Sequence, residues 1–184
     1  GINIIFNYAQ EIFAAAGYGI SQTMMNIVVT GITNVVFTQV ALFTVDRLGR
    51  RTLLLLGAAG LSCAYLILSL AYFYGVTGFP MLAIVVTAIA CYSGSLAPVM
   101  WVVVSEIFPT AVRGAAMGVA TFALWTACFI LTYTFPMLNA ELGASGTFLL
   151  YSVICIAGLL FIIRYVPETK GKTLEEIQES INNP

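Results

Sequence analysis

The sequence predicts an all-α fold, a polytopic membrane bundle of six transmembrane helices, on three observations. Of 184 residues, 60% are hydrophobic and 8% charged, whereas a soluble domain carries about a quarter charged residues. The surface is therefore solvated by lipid. A membrane helix needs roughly 20 apolar residues, so the chain has room for six spans, short connections and a tail. All seven Lys and Arg fall in alternate breaks between apolar runs, at the end of the last run or beyond it, which is the positive-inside pattern.

The first span runs from Gly1 to Tyr18. Asn3, Asn7, Gln10 and Glu11 share one face of it at helical spacing. After the break at Gly17 to Gln22, the second span, Met24 to Val45, repeats the device with Asn26, Thr30, Asn34 and Thr38 at intervals of four. Polar groups cost free energy in hydrocarbon unless they meet partners or a wet cavity. They either join one helix to another or line, as two facing stripes, a cavity for a neutral, hydroxyl-rich solute; Asn3 and Asn34 favour the cavity. The third span, Thr52 to Tyr74, lies between breaks at Asp46 to Arg51 and Gly75 to Pro80.

The fourth span, Pro80 to Ser105, contains Gly94-Ser-Leu-Ala-Pro98. Pro98 cannot donate to the Gly94 carbonyl and its ring crowds that group. A kink or break follows, either as plain packing or as the discontinuity at which transporters place binding sites. Trp101, one turn on, and Trp125 on the fifth span, Gly114 to Met137, lie too far from span ends for an interfacial belt. Their rings either pack the core or meet the apolar face of a bound ring. Gly114 and Gly118 form a GxxxG that permits close helix approach. A break at Asn139 to Gly146 precedes the sixth span, Thr147 to Val166. Thr173-Leu-Glu-Glu176 then has capping-box form, predicting a short amphipathic helix from Leu174 toward Ile181. Residues 1–166 are thus the bundle and 167–184 a cytoplasmic tail.

Both ends of the segment are expected in the cytoplasm, since Arg47, Arg50, Arg51, Arg113, Arg164, Lys170 and Lys172 all fall on one side of an even zigzag. Asp46, Glu106 and Glu168 lie among them, so carboxylates and guanidiniums can pair across helix ends and latch one conformation. Insertion topology accounts for the cations alone but not for Glu106 and Glu168. The net charge of −1 offers no cationic face for nucleic acid. There is no histidine, and Cys63, Cys91, Cys128 and Cys155 lack metal-ligand spacing; they read as small core residues. No metal or cofactor site is predicted, and an intramembrane enzyme lacks acid–base equipment. The start at Gly1, without a charged n-region, suggests a segment cut from a longer chain.

Several ordered motifs carry a family resemblance. Gly1-Ile-Asn3, Asp46-Arg-Leu-Gly-Arg-Arg51, Pro98-Val-Met-Trp101 with Ser105-Glu-Ile-Phe-Pro109 and Arg113-Gly114, and Pro167-Glu-Thr-Lys-Gly171 with Thr173-Leu-Glu-Glu176 together resemble the C-terminal half of the sugar porters of the major facilitator superfamily. The resemblance implies alternating-access transport of a monosaccharide, by uniport or proton symport, in a carrier whose N-terminal six-helix half is the partner. It implies a multi-pass protein of a plasma membrane or bacterial inner membrane. Positions Asn3, Asn34 and Trp101 would contact sugar, with Trp125 and Tyr8 near the site. Gly94 and Pro98 would form the helix break, while Asp46, Arg50, Arg51, Glu106, Arg113 and Glu168 would form a cytoplasmic network that stabilises the outward-facing state. Leu124 replaces a frequent amide, Ser93 a frequent glutamate, and Asn7 the first of a tyrosine pair. The alternatives are a polyol or pentose carrier of the same family, and a stand-alone six-helix channel or scaffold.

Overall fold

The structure, a computed structural model, describes residues 2–108, 112–166, 168 and 170. Among these residues every regular element is helical. The first expected span is two short helices, α1 (Ile2–Asn7) and α2 (Ala9–Ala15), separated at Tyr8, whose φ of −117° and ψ of 27° leave helical geometry. Next come α3 (Ile20–Leu48) and α4 (Arg50–Phe73). The six-residue break expected between them shrinks to Gly49, which at φ 89° and ψ 154° adopts backbone open essentially to glycine alone.

Pro80 lies in the first turn of α5 (Phe79–Cys91), where its missing N–H is no loss. Residues Tyr92–Leu96 then form a π turn, and α6 (Ala97–Ile107) begins with Pro98 in its first turn. The fourth span does depart from straight α geometry where Gly94 and Pro98 predict it. The departure takes the form of one wide turn, closed by the Ala97 N–H on the Tyr92 carbonyl, instead of a proline kink inside one helix. An extra residue per turn puts Pro98 where no N–H is required.

The last element, α7 (Arg113–Tyr165), is interrupted at Gly143, with φ 68° and ψ 173°. The Tyr151 hydroxyl reaches the Leu131 carbonyl at 3.5 Å, although the intervening residues would separate them by about 30 Å along a straight helix. The chain therefore folds back at Gly143, and α7 supplies the fifth and sixth crossings. The loop expected at 139–146 is reduced to one residue, because glycine at positive φ reverses the backbone without Cβ strain. The helical stretches Ile20–Leu48, Arg50–Phe73, Phe79–Ile107 and Arg113–Tyr165 are each long and apolar enough to cross a membrane; with α1–α2 and the reversal at Gly143, they make a six-helix membrane bundle.

The core centres on Phe13, Tyr65, Leu68, Ile89, Phe148 and Tyr151, from α2, α4, α5 and α7. Lipid gives helices little hydrophobic reason to associate, so polar bonds and small residues do that work. Ser69 Oγ donates to the Ser145 carbonyl at 2.7 Å and Ser145 Oγ returns a bond to the Ser69 carbonyl at 2.8 Å. Two helical turns away, Ser152 Oγ donates to the Ser62 carbonyl at 2.9 Å. Close packing falls at Gly57 and Gly60 of α4, where an added Cβ would lie 1.8 Å from Ser95 Oγ and 2.7 Å from Cys91 Sγ. The Gly114 and Gly118 pair, expected to pack closely, meets nothing within 4 Å of an added Cβ. Their helix turns that face away from the other described residues. Cys63, expected in the core, is exposed. The amphipathic tail helix lies outside the described residues.

Candidate functional site

Helices α1, α4, α6 and α7 and the π turn line an open cavity of about 610 Å³, within the range of roughly 300–1,000 Å³ usual for small-molecule sites. Its polar lining includes Asn3, Tyr92, Trp101 and Trp125, with Cys128; aliphatic side chains such as Leu54, Met100 and Ile162 form much of the rest. Asn3 sits at the start of α1 and donates from Nδ2 to Cys128 Sγ at 2.8 Å. Its amide oxygen has no protein partner among the described residues. Trp101 and Trp125 are 38% and 61% exposed, so both indoles retain open surface. A wide apolar wall, two indoles and a fixed amide suit a ring with one C–H face and hydroxyls at its edge.

Of the residues singled out in the sequence, Asn3, Trp101 and Trp125 meet at this cavity, and Asn34 and Tyr8 do not line it. Asn34, on α3, instead accepts a hydrogen bond at Oδ1 from Ser93 Oγ in the π turn. In the two polar stripes, Thr30 and Thr38 bond carbonyls of their own helix, at Ile27 and Asn34, and Asn7, Gln10 and Glu11 are exposed. Gly94 lies against Phe37 of α3, and Ala97, the neighbour of Pro98, is in the cavity wall. Cys128, expected as a small core residue, instead lines the cavity, a role that a lone thiol in an apolar run does not signal.

Tyr8 has a different attachment. Pro136, inside α7, has no N–H for the carbonyl four residues earlier, that of Thr132. The Tyr8 hydroxyl donates to that carbonyl at 3.1 Å, and its ring packs on Phe135 with centroids 4.6 Å apart. The break between α1 and α2 is thus pinned to the proline site of α7. Tyr8→Phe is expected to cost about 1 kcal/mol, the order of an interhelical bond in lipid. On a Pro136→Ala background, where a backbone N–H can serve Thr132, the same change should cost less than half as much. Unfolding midpoints of the four proteins in one detergent decide this; equal costs in both backgrounds would remove the explanation.

At one end of the bundle the charged residues assemble. Arg50 pairs with Asp46 through Nη1 at 3.1 Å and with Glu106 through Nη2 at 3.2 Å, joining the end of α3, the start of α4 and the end of α6. Glu168 Oε1 accepts the Arg50 N–H at 2.9 Å and Oε2 the Arg51 N–H at 3.2 Å. The carboxylate therefore caps α4, where unpaired N–H groups and the helix dipole favour an anion. Burial pushes the Glu168 carboxyl up, but the backbone N–H groups of Lys170, Arg50, Arg51 and Thr52 outweigh burial and hold it below the usual carboxylate value. With the folded value depressed, the cap's stabilisation is present at neutral pH and is lost as pH falls through that value. Arg51 donates to the Ile163 carbonyl at 2.7 Å, Lys170 Nζ to the Arg47 carbonyl at 2.6 Å, and Arg113 Nε to the Phe108 carbonyl at 3.4 Å. Asp46, Arg50 and Glu106 are thus joined through side chains, Glu168 through the backbone N–H groups of Arg50 and Arg51, and Arg113 ties the start of α7 to Phe108 at the end of α6.

A family model described as sugar (and other) transporter matches residues 1–181. The chain belongs to the sugar transporter family. Within it, the chain is 36% identical to the glucose facilitated diffusion protein of Zymomonas mobilis, over 97% of this chain and 39% of that protein. It is 35% identical to the D-xylose-proton symporter of Escherichia coli, over 97% of this chain and 38% of that one. A solved structure of the proton:xylose symporter of the major facilitator superfamily, bound to 6-bromo-6-deoxy-D-glucose, superposes with a TM-score of 0.87 at 35% identity, covering 98% of this chain and 39% of that chain. The chain thus spans about two-fifths of the length of these sugar transporters.

Proposed function

We propose that this chain forms the C-terminal six-helix half of a carrier that moves a monosaccharide across a membrane by alternating access. The cavity lined by Asn3, Trp101 and Trp125 carries this reading, because it pairs amide and indole hydrogen-bonding groups with apolar rings in a sugar transporter. It supports sugar contact by these three residues. Asn34 and Tyr8 belong to the same site in the assembled carrier, Asn34 through an Nδ2 that has no protein partner among the described residues and Tyr8 by fixing the α1–α2 break. The partner is an N-terminal half, and both halves sit in lipid. In support, α3 displays Met24, Val28, Ile32, Val35 and Phe43, each at least half exposed, an apolar face that the described residues leave uncovered.

In this reading the protein is a multi-pass carrier of a plasma membrane or bacterial inner membrane, not an enzyme, with both ends of the segment in the cytoplasm. The clustered cations at one end support that orientation. The network of Asp46, Arg50, Arg51, Glu106, Arg113 and Glu168 closes the cytoplasmic side in the outward-facing state. Uptake of labelled hexoses, pentoses and inositol by the full-length carrier, with and without a protonophore, tests the function. Uptake of at least one monosaccharide is expected, and its loss with protonophore distinguishes proton symport from uniport. Inositol uptake alone would replace the monosaccharide with a polyol, and uptake of none by a carrier present in the membrane would overturn the proposal.

A further inference from the structure

Ser93 is fully buried at 0% exposure, in the π turn, and Asn34 is half-buried on α3. The Ser93 hydroxyl donates to Asn34 Oδ1, while Asn34 Nδ2 has no protein partner among the described residues. One helical turn farther along α3, Phe37 fills the space over Gly94, its ring 3.4 Å from where a Cβ would stand. The turn is itself held from behind, since Ser95 sits in the notch left by Gly57 and bonds the Cys91 carbonyl. A primary amide is donor at one end and acceptor at the other. Whichever end is taken by the protein decides what the other end offers a ligand. We infer that Ser93 is a positioning residue for the sugar site, turning the Asn34 amide so that it presents a hydrogen-bond donor, and not an acceptor, to the transported sugar.

This inference rests on the proposed function and on Asn34 as a contact within it. A donor at Asn34 selects a sugar oxygen that can accept. A sugar fluorinated at that carbon keeps some acceptor character, whereas the deoxy sugar has none. An acceptor at Asn34 would reject both, because neither can donate. The pattern across analogues therefore reports the direction of the amide.

The test uses the full-length carrier and the monosaccharide that the uptake panel selects, with its monodeoxy and monodeoxyfluoro analogues as competitors. Asn34→Ala is expected to raise KM at least tenfold and to abolish the preference for fluoro over deoxy at one carbon. Ser93→Ala, which frees the amide to turn, is expected to raise KM three- to tenfold with kcat within twofold, and to erase the same preference at the same carbon. If Asn34→Ala leaves KM and the analogue pattern unchanged, Asn34 is not a contact, and the site reading fails together with this inference. If Asn34→Ala has its expected effect but Ser93→Ala leaves KM and the pattern intact, or lowers only kcat or the amount of folded carrier, the positioning role is overturned and the site reading stands.

Discussion

Trp101→Ala is expected to lower uptake at sub-saturating sugar by roughly 3- to 10-fold in the full-length carrier. The indole stands in the cavity wall at 38% exposure, so a ligand in that space covers its remaining face. Full burial of a large apolar side chain contributes about 1.5–3 kcal/mol, so covering the 38% still exposed contributes about 0.6–1.1 kcal/mol, and each 1.4 kcal/mol is about tenfold in affinity. Trp101→Phe keeps an apolar ring and loses the N–H, so it should recover most of the loss if packing dominates. Because Trp101 contributes no side chain to the main core cluster, the unfolding midpoint should change little. Initial rates against sugar concentration check the prediction. Unchanged rates with Trp101→Ala would mean that sugar does not use this wall.

Gly49→Ala is expected to be the most damaging small substitution at the charged end. At φ 89° and ψ 154° an L residue carries a backbone cost of about 1–3 kcal/mol. Its Cβ would also lie 2.7 Å from Glu168 Oε2, forcing the carboxylate off the Arg50 and Arg51 N–H groups. Loss of a helix cap costs about 1 kcal/mol more. A total of about 2–4 kcal/mol is a large part of a typical stability, and the unfolding midpoint should fall accordingly. Glu168→Ala alone should remove only the cap. The double variant should be less damaged than the sum of the two, since the Cβ then meets no carboxylate. Strict additivity would show that the contact between Gly49 and Glu168 has no energetic consequence.

Much of this architecture is visible in the residues because the bilayer is a demanding solvent: apolar runs of span length and one-sided cations permit few other folds. Pro98 marked its break since a missing N–H is a property of one residue. The legible features are therefore local. What stayed hidden depends on rotation and approach between helices. Nothing near Tyr8 in sequence says that its hydroxyl serves a carbonyl exposed by Pro136, and nothing in Gly57 distinguishes it from Gly114, although one receives Ser95 and the other faces open space. Gly49 combined both kinds of information. Its position in Asp46-Arg-Leu-Gly-Arg-Arg51 suited a turn, but its approach to Glu168 required the far end of the chain.

The central claim is that the cavity between α1, α4, α6 and α7 holds the sugar, and Cys128 offers a direct probe, since it lines that space beside Asn3. The measurement is the rate at which a maleimide modifies Cys128 as the only cysteine of the full-length carrier, with and without the transported monosaccharide. The account predicts that saturating sugar slows labelling several-fold and that a stereoisomer which is not transported leaves it unaffected. Labelling at the same rate in saturating transported sugar would contradict it.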